Sequence, residues 1–61
     1  MLLLSEVLLQ EHHLTSFESL KETIVKRALA GEFSFSPDIK PQFADTPEDW
    51  EEQLEIAFSS A

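Results

Sequence analysis

The chain has no cysteine, a single glycine, and only four basic side chains against twelve acidic ones. Without cysteine there is no disulfide and no thiolate metal site, a composition that fits a reducing compartment. One glycine cannot build a Gly-rich phosphate cradle. The scarcity of cations argues against direct binding to nucleic acid or to an anionic membrane, since both need a basic face. Long hydrophobic runs are also missing. The longest, Met1 to Leu4, is far short of the about 20 residues that span a bilayer. The leading stretch MLLLSEVLLQ lacks a basic start, is interrupted by Ser5 and Glu6, and precedes no small-residue cleavage site. The expectation is a soluble, cytoplasmic protein.

Catalytic and metal chemistry find little support. Seven serines occur, none in a Gly-flanked elbow. His12 and His13 are adjacent, and neighbours on a helix project about 100° apart, so they do not form an i, i+4 ligand pair. The carboxylates follow no calcium-loop pattern. A chain of 61 residues cannot easily enclose a cleft that would desolvate a catalytic acid. No enzyme, metal or cofactor is expected.

What is present is an asymmetry. Residues 1–31 carry four carboxylates against three cations, a net of −1, whereas residues 32–61 carry eight against Lys40 alone, a net of −7. Five of the six aromatic residues (Phe33, Phe35, Phe43, Trp50 and Phe58) also lie in the second half. A basic protein surface is the natural complement of such a segment.

The periodicity predicts a single all-α domain of three short helices, at about 2–12, 16–30 and 47–58. For the second, Thr15 and Glu18 have capping-box spacing, and Phe17, Leu20, Ile24, Ala28 and Leu29 make an apolar stripe. Lys26 and Arg27 suit its carbonyl end, and Gly31 is the expected left-handed residue after it. For the third, Thr46 is the expected cap, Pro47 the first helical residue, and Trp50, Leu54, Ala57 and Phe58 the apolar face. Between these two helices lies an extended link, residues 32–45, with Phe33 and Phe35 on one face and Pro37 and Pro41 blocking helix.

The first helix places Leu3, Leu4, Val7 and Leu8 on one side and Leu2 and Leu9 on the other. Apolar groups all round a surface helix point to further burial. A chain this short buries only about 60% of its unfolded surface. Homodimerisation through Leu2, Leu3, Leu4, Val7, Leu8 and Leu9 is therefore expected to complete the core.

The functional expectation is a small acidic protein-interaction module that inhibits or escorts a basic protein partner. Phe33, Phe35, Phe43, Trp50, Leu54 and Phe58 would be anchors, and Glu51 and Glu55 part of a charged rim. In layout this resembles small antitoxins, which join a compact dimerising part to an acidic, partner-wrapping tail. Unlike theirs, the amino-terminal half has no basic DNA-binding face. A nucleic-acid mimic or a structural subunit of a larger assembly are the alternatives.

Overall fold

A short parallel strand pair joins the start of the chain to the segment that follows its second helix. A computed structural model describes residues 1–61, in the order β1 (Leu2–Leu3), α1 (Leu4–Gln10), α2 (Phe17–Leu29), β2 (Phe35–Ser36) and α3 (Trp50–Ser60). The three helices appear in the expected order. The chain is mostly helical, and the two strands add a small parallel sheet that the all-α expectation did not contain. Leu2 pairs with Phe35 and Leu3 with Ser36, and the Leu2 N–H donates to Ser34 O at 2.9 Å. Parallel strands require a crossover connection, supplied here by α1 and α2. Pro37, which has no N–H, follows directly and cannot continue the ladder.

The pairing changes what the first leucines do. Extended backbone turns Leu2 inward, and it is buried with Leu4, Val7, Phe17, Leu20, Ile24 and Leu54 in one core. The two-sided leucine pattern thus reflects a strand followed by a seven-residue helix, not a helix running from 2 to 12. Leu9 remains 69% exposed.

Helix α2 is capped by Ser16, one residue later than expected. Its Oγ accepts from Ser19 N at 3.1 Å, while Thr15 is exposed and Glu18 faces Lys21 at 3.8 Å. The buried face is Phe17, Leu20, Thr23 and Ile24. The Thr23 hydroxyl is satisfied by donating to Ser19 O at 3.1 Å. Ala28 is half-buried, but Leu29, on the expected stripe, is 70% exposed. Gly31, at φ 118°, takes the left-handed conformation expected after the helix.

The link is held by its own carboxylates. Asp38 accepts from Ser5 N at 3.0 Å and from Ser5 Oγ at 2.7 Å, at the amino end of α1. Asp45 accepts from Phe17 N at 2.8 Å, at the amino end of α2. Each satisfies a donor that the first helical turn leaves free, where the helix dipole also favours negative charge. Two of the eight acids in residues 32–61 are therefore structural, tying the link to both preceding helices. Pro41 is fully buried, so it packs as well as blocking helix.

The Ser5 hydroxyl, then the Ser5 N–H, hold the Asp38 carboxyl below the ordinary aspartate value of 3.8. A depressed folded-state pKa contributes stability that is present above the unfolded value and lost as pH falls through the folded one. Asp38→Asn is expected to lower stability near neutral pH and to flatten the acid-induced loss below about pH 4. Urea midpoints measured across that range check both; an unchanged slope would remove this role.

Helix α3 starts at Trp50 rather than Pro47. Thr46 does not cap it: it lies four residues before Trp50, and its Oγ1 accepts instead from Phe43 N at 3.3 Å in a turn. Asp49 precedes the helix and accepts from Gln53 Nε2 at 2.9 Å. Packing of α3 on α2 brings Leu54 fully into the core. The radius of gyration is 10.3 Å, against about 10.5 Å for a compact chain of this length. One chain therefore closes this core by itself, drawing on both the near-neutral and the acidic half.

Candidate protein-binding face

Helix α3 has two unlike sides. The inner one carries Trp50, Gln53, Leu54, Ala57 and Phe58, all buried or half-buried. The outer one carries Glu51, Glu52, Glu55, Ile56 and Ser59, all exposed. Glu48 and Asp49 extend the negative charge ahead of it. Glu51 and Glu52 sit in the first turn, where the dipole offsets some of their mutual repulsion. Glu55 lies one turn after Glu51, and like charges at that spacing cost a few tenths of a kcal/mol.

No cation in the chain relieves this repulsion. The two ion pairs are Lys21 with Glu18 at 3.8 Å and Arg27 with Glu11 at 4.0 Å, both in the first half. Arg27 also donates to Gln10 Oε1 at 2.8 Å, which joins the end of α1 to α2.

The expected anchors divide three ways. Leu54 is fully buried, so it holds α3 to the chain's own core and is closed to any partner. Phe35, Phe43, Trp50 and Phe58 are half-buried against that core. Phe33 is 91% exposed, although the alternation would place it beside Phe35. Only Phe35 lies in the strand pair, so the pleat does not extend to Phe33. Of the residues expected to self-associate, Leu2, Leu4 and Val7 are interior, and Leu3 and Leu8 are half-buried.

Ile56 is the residue that sequence reasoning passed over. It is 56% exposed and follows Glu52 by one helical turn, on the acidic side. Its off-stripe place, six residues after Trp50, was the available sign: it lies about 120° from Trp50 and about 160° from Phe58 around the helix.

Beside Glu55, the Phe35 and Phe58 rings stack with centroids 5.6 Å apart and planes 21° apart. These three residues and Ser59 line a shallow cavity of about 260 Å³. No group of three or more histidine and acidic side chains is placed to hold a metal ion, and His12 and His13 are exposed in the turn after α1. No helix is long and apolar enough to cross a membrane.

No protein-family model matches this sequence, and no curated protein or solved structure matches it significantly. The functional reading therefore rests on the surface itself.

Proposed function

We propose that this protein is a small acidic interaction module that binds a basic protein and inhibits or escorts it in the cytoplasm, without catalysis of its own. The observation that carries this reading is the outer side of α3. Glu51, Glu52 and Glu55 are exposed with no cation within ion-pair distance, and exposed Ile56 borders Glu52 at the edge of this acidic side. Protein interfaces join apolar contacts to charged neighbours. The carboxylates steer a basic partner, and the apolar residue beside them excludes water.

On this reading the acidic half presents a folded face instead of wrapping its partner as a tail, because its inner side is spent on the core. That brings the module closer to an inhibitor than to the antitoxin layout. Phe33 is a further exposed contact, two residues before Phe35. A homodimer, where one forms, has Leu9 and the outer edges of Leu3 and Leu8 to use. Exposed Ile56 and Phe33 count against a nucleic-acid mimic, which needs a track of charge without apolar anchors.

The test uses the full chain, since Phe35 and Leu54 belong to its core and a fragment ending at Gly31 would lack both. The wild type and a Glu51→Lys, Glu52→Lys, Glu55→Lys triple variant are compared as bait in the source cell's lysate. All three side chains are exposed, but lysines at 51 and 52 meet the positive end of the α3 dipole, so the variant is first shown to be folded by circular dichroism. A basic protein should be held by the wild type, with association by the variant slowed about tenfold or more. Equal capture of that protein by both would end this proposal.

A further inference from the structure

We propose that the cavity between β2 and the carboxyl end of α3 receives an arginine side chain of the basic partner. This rests on the interaction-module reading above and names the chemistry of one of its contacts. Four observations converge on it.

The first is shape. At about 260 Å³ the cavity falls below the range of about 300–1,000 Å³ of small-molecule sites. It suits one protruding side chain. The second is the lining. Phe35 and Phe58 are stacked and half-buried, and both border the cavity. Such ring surfaces attract cations. The third is an unpaired carboxylate. Glu55 lines the same cavity, and no lysine or arginine of this chain comes within ion-pair distance of it. Its negative charge excludes an anionic ligand.

The fourth is the helix end. Ser59, also in the lining, lies in the last turn of α3, which holds no basic residue. The carbonyl end of the dipole thus adds uncompensated negative potential. Glu55, Phe58 and Ser59 share one edge of α3 because residues three and four apart are neighbours on a helix.

Arginine meets these conditions better than lysine. Guanidinium is planar and weakly hydrated; it stacks on aromatic rings and offers a fork of N–H donors to a carboxylate. Ammonium is a strongly hydrated point charge and gives up more on leaving water. A second cation class, a free metal ion, is disfavoured because a single carboxylate and one hydroxyl do not complete a hard-cation shell.

The experiment is a titration of the isotopically labelled full chain with N-acetyl-arginine methylamide, followed by backbone amide and aromatic-ring NMR shifts. The uncharged isostere N-acetyl-citrulline methylamide is the control, and Glu55→Gln is the variant. The arginine compound should give saturable shifts centred on Phe35, Glu55, Phe58 and Ser59. Citrulline should bind about fivefold more weakly or less. Glu55→Gln should weaken arginine about threefold while leaving the spectrum otherwise intact.

Equal binding of citrulline, or arginine shifts spread evenly over Glu51, Glu52 and Glu55 without the ring shifts, would overturn the assignment. No partner enters this titration, so its result is separable from the capture experiment. A diffuse titration with charge-dependent capture removes the arginine site and leaves the module. A saturable site in a chain whose capture ignores the triple reversal keeps the arginine pocket and removes the module.

Discussion

Leu54→Ala is expected to cost about 2–5 kcal/mol, the range for truncating a buried leucine. Leu54 is the one fully buried residue that α3 contributes, and its neighbours in the core come from β1, α1 and α2. A cavity at that point removes the contact on which the acidic half is folded. A domain of this size has only about 3–9 kcal/mol of total stability. The variant should therefore lose a large share of it, from about a fifth upward, with a melting temperature lower by at least about 8 °C. Thermal and urea unfolding followed by circular dichroism measure this directly. A loss below about 1 kcal/mol would mean that α3 does not depend on this side chain, and the packing described above would be wrong.

Trp50→Ala carries the second large effect, and the structure changes what it means. As a partner anchor alone, the indole would affect binding and leave folding untouched. Instead it packs, half-buried, against the core at the start of α3. Discounted for its exposed part, the loss should be about 1–3 kcal/mol in stability. Affinity of the variant then has to be measured well below its melting temperature, where the folded fraction is complete. A fall in affinity that persists there would add a partner contact to the structural role. Unchanged stability would take the indole off the core and return it to the binding surface. As the only tryptophan in the chain, it also reports its own environment by fluorescence in the wild type.

The two variants and the charge reversal separate the sides of one helix. Inner-side truncations act on stability, because their apolar area is removed from water by the fold. Outer-side reversals act on encounter, because exposed carboxylates contribute little to folding but set the field a partner meets. A surface that retains repulsion between Glu51 and Glu55, with no cation to relieve it, is the main reason to read α3 as presented to another molecule.

Much of the helical framework was legible in the sequence because it depends on local rules. The 3.6-residue spacing of Phe17, Leu20 and Ile24, Lys26 and Arg27 in the last turn, and Gly31 after it describe α2 without reference to anything distant. The same holds for the alternation of acidic and apolar positions around α3. The helix starts were less legible. Thr15 and Ser16 are both able to cap, and so is Thr46; which hydroxyl is free for that depends on the turn it sits in. Thr46 accepts from Phe43 N, and α3 begins four residues later, at Trp50.

The candidate site was legible in its charge and not in its apolar contacts. Glu51 and Glu55 are exposed as expected, since burying an unpaired carboxylate is too costly to be concealed by any fold of this size. The aromatic residues carried no such constraint. A phenylalanine gains from burial in its own core or in a partner's, and nothing in the order of residues says which is nearer. Phe35 found Phe58 and the core, Phe33 did not, and Ile56 was left exposed one turn after Glu52.

The sequence by itself determined the order of three helices, the polarity of their faces and the concentration of negative charge in residues 32–61. Those follow from interactions within a few residues. Only the tertiary structure decided that Leu2 and Leu3 form a strand with Phe35 and Ser36, that Asp38 and Asp45 hold the ends of α1 and α2, and that a cavity opens beside Glu55. Each joins residues 28 or more positions apart or, for the cavity, two elements separated by residues 37–49. Their partners are chosen by which groups remain unsatisfied once the chain has closed around its core, and no local pattern encodes that choice.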